Sequence, residues 1–371
     1  MSIILTIIAF IFILGILVFV HELGHFLAAR RAGMKVEEFG FGFPPRLFGV
    51  RRGETLYSIN LIPLGGFVKI TGEEGVSDDP RSFANGSFGH RLFVLLAGVL
   101  MNFVLGWFLL FLGFCLVGTP IEIGEGTHLG NARLSQEKLT IIAVEPNSPA
   151  EIAGFKHGDL ILSVDDKKFT NIDELIAYTK SRAENPVIYE LQRGTETLER
   201  SATPRANPPE GSGPVGFAPA MIAVAKYPIF DALKMSFVSF YYKTTGVFGA
   251  FGQLIGKLFS SGKLAEGLAG PVGIAVLTKD FLALGIVYLV QFTAVLSINL
   301  GIINAFPFPA LDGGRVLFLL IEKIRGVKSV KIEQTANIVG FLLLMLLMVA
   351  VSFRDFGRYS DEFRRLFDRI L

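Results

Sequence analysis

Cysteine is almost missing from these 371 residues, with Cys115 the single instance. No intramolecular disulfide can form, and no cysteine cluster can hold a metal. Charge is scarce too, at 18% of residues, and the net charge of +2 comes without any long basic run. That argues against nucleic acid as a partner. No Lys or Arg precedes the first apolar run, Met1 to Val20. A run of about 20 residues also exceeds the roughly 7–15 of a signal-peptide core. The better reading is a membrane-spanning helix, which needs about 20 apolar residues. Internal repeats are lacking. Any metal site must draw on carboxylates and on five histidines: His21, His25, His90, His128 and His157.

What the chain does have is apolar mass. Hydrophobic residues make up 51% of it and the mean hydropathy is +0.52, the profile of a polytopic membrane protein with some soluble mass attached. The hydropathy pattern predicts four spans: Ile3 to about Leu27, Leu92 to Val117, Phe281 to about Phe306, and Ile338 to Phe353. Arg30, Arg31, Lys35, Arg46, Arg51 and Arg52 follow the first. By the positive-inside rule, residues 28–90 face the cytoplasm and the N-terminus lies outside. Residues 118–280 are then outside, and Arg315, Lys323, Arg325, Lys328 and Lys331 after the third span fit the same rule. The tail strains it, with Arg354, Arg358, Arg364, Arg365 and Arg369. Phe356, Tyr359, Phe363, Phe367 and Ile370 recur there at helical spacing and predict an amphipathic helix on the membrane surface.

Between the spans the character changes. Residues 139–203 alternate β-branched runs (LTIIAV, LILSVDD, VIYELQR) with turns and one helical stretch, Ile172 to Arg182. This predicts a compact soluble α+β domain, closed by the linker ANPPEGSGP at Ala206 to Pro214. Ile229 to Phe259 is rich in Phe and Leu but carries Asp231, Lys234, Lys243 and Lys257. One or two interfacial amphipathic helices are the expectation, with a further span as the alternative. ETLYSINLIPLGGFVKI, Glu54 to Ile70, reads as a cytoplasmic β-hairpin with Pro63, Gly65 and Gly66 at its centre.

One stretch breaks the rule of the lipid. VFVHELGHFLAAR puts His21, Glu22 and His25 at the end of the first span, where ionisable groups are expensive and mark function. Four residues apart on a helix, the two imidazoles share a face. H-E-x-x-H on a helix is the pattern of zinc peptidases, with Glu as general base. Zinc lowers the pKa of a bound water to about 7 and polarises the carbonyl under attack. It needs a third protein ligand and an open position. SINLGIINAFPFPALDGGR, Ser297 to Arg315, brings Asp312 to the same end of the third span as the histidines occupy on the first. Pro307, Pro309, Gly313 and Gly314 break the helix there, and broken backbone at membrane depth is tolerated only where it lines a protein cavity. Asp312 is therefore the candidate ligand, against the plainer alternative of an interfacial turn residue.

HELGH and NAFPFPALDGG together resemble the paired motifs of the site-2 protease family of intramembrane zinc metalloproteases. The likeness is to its bacterial branch in regulated intramembrane proteolysis, whose members carry PDZ domains outside the membrane. IIAVEPNSPAEIAGFKHGDLILSVDDKKF, Ile141 to Phe169, resembles such a PDZ domain. The resemblance implies His21, His25 and Asp312 as Zn2+ ligands and Glu22 as catalytic base. It implies that Asn304 holds the substrate backbone or the transition state, with Asn299 a weaker candidate. Gly98 and Asn102, in AGVLMN, resemble the family's G-x-x-x-N element beside the site, where Asn102 contacts substrate or makes an interhelical hydrogen bond. It further implies a metalloendopeptidase of the bacterial cytoplasmic membrane, with its active site near the cytoplasmic side. Its substrates would be transmembrane proteins such as anti-sigma factors or remnant signal peptides, and the PDZ domain would take a peptide ligand. The expected organisation is 1–117 (two spans and the 54–70 hairpin), 118–205 (PDZ), 206–280 (linker and interfacial helices) and 281–371 (two spans and LDGG). Two departures stand out: there is room for one PDZ domain where some relatives have two, and Arg315 stands where many have His. Two other readings compete. One is a membrane-anchored zinc peptidase for soluble or misfolded segments. The other is a non-enzymatic PDZ scaffold with structural zinc.

Overall fold

The apolar runs fold as the hydropathy predicts, with shifted ends. A computed structural model describes residues 3–73, 75, 77–124, 130–194, 196–209, 211–261, 269–327 and 330–358. Helix α1 runs Ile3–Arg31, four residues beyond the expected end at Leu27. It stops at Gly33, whose φ of 73° lets Met34 N donate back to Ala29 O at 2.9 Å, satisfying a carbonyl at the helix end. Helix α2 runs Phe88–Leu112 and continues into a π-turn, Gly113–Val117. The expected third span, Phe281 to Phe306, is corrected: Gly285 breaks it with φ 110°, leaving α6 (Pro271–Leu284) and α7 (Ile286–Ala305). The last long helix, α9, is Val330–Arg358. α1, α2 with its π-turn, α7 and α9 are each long and apolar enough to cross a membrane. The tail helix expected beyond Arg358 lies outside the described residues.

The hairpin also needs correction. Thr55–Ile70 is one bent strand, β2, and its partner is β1, Val36–Arg52, which lies outside the expected hairpin. The two pair antiparallel, with Phe39 facing both Val68 and Tyr57, and Val50 facing Tyr57. The first half of β1 thus lies between the two halves of β2. Two prolines and Gly40, Gly42 and Gly49 hid this strand from a propensity reading. Phe39 and Tyr57 pack with Phe26 of α1, at centroid distances of 5.0 and 5.9 Å, which seats the ribbon on the helix that carries the histidines.

The chain divides into two compact units, and the sheet belongs to the second, Leu110–Phe237 with Asp280–Gln291. Its strands are β3 (Thr119–Ile123), β4 (Arg133–Val144), β5 (Leu160–Val164), β6 (Val187–Arg193), β7 (Glu196–Ala202) and β8 (Phe217–Lys226), in the order β3-β8-β4-β5-β6-β7. Helices α3 (Pro149–Ile152) and α4 (Ile172–Ser181) accompany them. Ile141, Val164, Leu175, Val187, Tyr189 and Leu191 form the buried core. The domain does not end at 205. Residues 206–209 and 211–214, of the expected linker, lie inside it, and β8 beyond them pairs with both β3 and β4. An alanine-rich run containing Pro219 gives little strand signal, which is why the boundary fell short. Helix α5, Ile229–Ser261, follows as one continuous helix.

The first unit holds α1, most of α2, the ribbon, most of α7, α8 (Asp312–Arg325) and α9. α1 and α2 cross closely: a Cβ on Gly24 would stand 2.8 Å from the Ala97 carbonyl carbon and 2.8 Å from Met101 Cγ. α8 is fastened by charge. Arg91 of α2 meets Glu322 with two parallel bonds of 2.8 Å, and the Arg91 side chain is only 9% exposed. Removing one partner of such a pair leaves a buried charge, at a cost of about 3 kcal/mol. Glu322→Ala should therefore lower thermal stability markedly in detergent, while Arg91→Met with Glu322→Leu should recover most of it. Equal melting temperatures for Glu322→Ala and the native chain would contradict this role.

Candidate metal centre

α1 delivers His21 and His25 one turn apart on the same face. Asp312 arrives from the other end of the sequence, as the first residue of α8, seven residues past the end of α7. The intervening turn is tight. A Cβ on Gly313 would collide with the carbonyls of Ala305 and Phe306, and one on Gly314 with that of Phe308, so D-G-G is the form this reversal requires. Asn337 Oδ1 accepts from Ala310 N at 3.0 Å and steadies the turn from α9.

The three donors converge. His21 Nε2 and His25 Nε2 lie 3.1 and 3.2 Å from Asp312 Oδ2, and 3.2 Å from each other. Ligands about 2.0–2.1 Å from one tetrahedral zinc stand about 3.3 Å apart, so the spacing fits that ion. The outer ring nitrogens settle the proton positions. His25 Nδ1 donates to the Val94 carbonyl of α2 at 2.8 Å. His21 Nδ1 lies 3.1 Å from Asn102 Nδ2, while Asn102 Oδ1 is buried with no partner among the described residues. Turning the carboxamide over, with the ring proton on Nδ1, lets His21 donate to that oxygen. Both Nε2 atoms then present lone pairs to Oδ2, which itself is buried and accepts no hydrogen bond. Three lone pairs aimed at one point call for a cation.

Room for it is kept by Gly98, where a Cβ would collide with His25 Nε2 and His21 Cε1. Asn102 follows one turn later on α2. It is fully buried, and its carbonyl accepts from Ser297 of α7 at 2.7 Å. Of the two expectations for Asn102, the interhelical hydrogen bond is the one this arrangement forms, from α2 to His21 of α1. Glu22 adjoins the cluster on α1 and packs against the ribbon, its Cγ 3.3 Å from where a Cβ on Gly66 would stand. Asn304 and Asn299 are half-buried on α7, and neither hydrogen-bonds to His21, His25 or Asp312 among the described residues. Arg315, the departure from His, forms a close ion pair with Glu73 just beyond β2, so α8 is tied to the ribbon as well as to α2.

Sequence reasoning missed Val94, Gly66 and Glu73. A backbone carbonyl and a close approach leave no mark in residue type. Glu73 could have been sought as the partner of a lone Arg315 beside a carboxylate.

Replacing an orienting partner typically weakens metal affinity about 10–100-fold. Asn102→Leu should fall in that range when zinc is competed with a chelator, whereas His21→Ala or Asp312→Ala should leave the protein without stoichiometric metal. Unaltered zinc affinity in Asn102→Leu would refute the orienting role.

The chain matches the model for Peptidase family M50 over residues 9–347. It is 30% identical to "Zinc metalloprotease RasP" of Geobacillus kaustophilus (strain HTA426), over 95% of this chain and 98% of that one. It is 31% identical to "Regulator of sigma-W protease RasP" of Bacillus subtilis (strain 168), over 95% and 98%. Among solved structures, the PDZ domain of the SdrC-like protein (Lmo2051) from Listeria monocytogenes matches 24% of this chain and 92% of its own length, at 20% identity and a TM-score of 0.21. With the family model spanning both the histidine helix and the Asp312 turn, and relatives aligned over nearly their whole length, the chain belongs to peptidase family M50.

Proposed function

We propose that this protein is an intramembrane zinc metalloprotease that hydrolyses peptide bonds within or beside transmembrane segments of other membrane proteins. The observation that carries this is the convergence of two imidazoles and one carboxylate at the end of an apolar helix, with a further carboxylate, Glu22, adjoining them. His21, His25 and Asp312 would hold the ion. Zinc bound there supplies a water of lowered pKa and polarises the scissile carbonyl.

The remaining work falls to the chain's own side chains. A Glu22 carboxylate oxygen takes a proton from the attacking water and returns it to the leaving amide nitrogen. Asn304, eight residues before Asp312, donates its carboxamide N–H to the developing oxyanion or the substrate backbone. Asn299 is the lesser candidate. A helical substrate hides its carbonyls, so it must unwind before attack. The second half of β2 pairs with β1 on one side, and its other edge can accept an extended strand from an unwound substrate. Gly66, on that half, lies against Glu22.

By the charge rule this centre faces the cytoplasmic side of a bacterial inner membrane, and the sheet domain lies outside. We read that domain as a PDZ module that takes a peptide and admits substrates already trimmed on their outer part. The substrates are anti-sigma-factor-like proteins or remnant signal peptides, in keeping with the "Regulator of sigma-W protease" of Bacillus subtilis. A structural-zinc scaffold would have no use for Glu22 next to its ligands.

The direct test uses detergent-purified protein and a model transmembrane substrate. Glu22→Gln should retain zinc and lose at least about 100-fold in cleavage, as removal of a general base does. Zinc retained with cleavage unchanged would overturn the assignment. Replacing Thr119–Lys226, the whole sheet, by a Gly/Ser linker should abolish discrimination between full-length and trimmed substrates. Preserved discrimination would end the gating role.

A further inference from the structure

A second feature lies at the far end of α1 from the N-terminus. α1 finishes in Arg30 and Arg31. The tip joining β1 to β2, Arg52-Gly53-Glu54, returns to this place, and so does Arg81 from the loop before α2. Together they line a cavity of about 420 Å³. Its lining includes three arginines, Arg30, Arg52 and Arg81, and one acid, Glu54. Arg81 and Glu54 neutralise each other through bonds of 2.7 and 3.2 Å. Arg30 and Arg52 meet no carboxylate among the described residues; the Arg30 guanidinium rests 5.7 Å over the Phe26 ring. Gly33 and Gly53 leave open space where side chains would otherwise stand. Two arginines with no carboxylate partner among the described residues thus line one open cavity from different elements.

Their chemistry and position name the occupant. A planar guanidinium offers paired N–H donors that match the oxygens of a phosphate. The site sits at the end of an apolar membrane helix, where the headgroup layer begins, and basic pockets of this kind take lipid headgroups. A choline headgroup also has a phosphate, but it brings its own cation into a cavity already positive. We propose that this cavity binds the phosphate of an anionic phospholipid through Arg30 and Arg52, with the Arg81–Glu54 pair as its wall. The bound lipid ties the end of α1, five residues beyond His25, to the tip of the ribbon.

The test uses the full chain in detergent. Binding of short-chain phosphatidylglycerol is compared with short-chain phosphatidylcholine and with inorganic phosphate. Phosphatidylglycerol should bind about tenfold or more tightly than phosphatidylcholine, and Arg30→Gln with Arg52→Gln should remove that preference. Arg31→Gln with Arg51→Gln removes the same charge from neighbours that do not line the cavity, and should leave binding intact. Weak binding of inorganic phosphate supports a lipid source. Phosphate binding as tight as the lipid's, and dependent on Arg30 and Arg52, would keep the anion site but overturn the lipid. Loss of binding in both double variants alike would reduce the effect to diffuse charge and overturn the site, as would no preference between the two lipids.

Discussion

Everything in the membrane unit is arranged around a repulsion. His21 Nε2, His25 Nε2 and Asp312 Oδ2 lie within 3.2 Å of one another, and the hydrogen bonds on the far side of each ring leave all three with lone pairs inward. In an apolar surrounding such an arrangement is unfavourable unless a cation sits among the donors. The protein holds the donors in place through backbone and amide groups of α2, and keeps the middle clear with the missing side chain at Gly98. The candidate ligands come from α1 and α8, while the groups that hydrogen-bond the two imidazoles come from α2.

α8 is the part most in need of fastening. It carries one ligand at its first residue and follows a turn too tight for any side chain at two positions. Arg315 and Glu322 answer this from opposite ends of the helix, one reaching the segment beyond β2 and the other α2. Charge pairs suit the task because, of the apolar side chains of α8, only Leu319 is buried, while Leu317, Leu320, Ile321 and Ile324 are exposed.

The centre was legible because membranes make polar residues costly. HELGH could be read by helical spacing and by its place in an apolar run, and Asp312 by the broken helix around it. What stayed hidden was whatever residue type does not record. β1 was concealed by prolines and glycines that serve its bends. β8 was concealed by alanines, which suit either helix or strand. The break at Gly285 was lost in a run of uniform hydropathy, since hydropathy reports burial in lipid and says nothing of backbone direction. Asn102 was visible as a polar residue at membrane depth, yet its partner could be assigned only once α1 and α2 were seen to touch.

The contact between Gly66 and Glu22 has a consequence for selectivity. In the docking proposed above, the second half of β2 offers main-chain hydrogen bonds, so it would engage a segment whose own amides have been released. An intact helix has already satisfied them internally and has nothing to exchange. In the proposed docking, a strand paired to the second half of β2 would lie near Glu22, which packs against Gly66. Regular apolar helices of the bilayer would then be spared, and what would mark a chain for cutting is a local failure to remain helical.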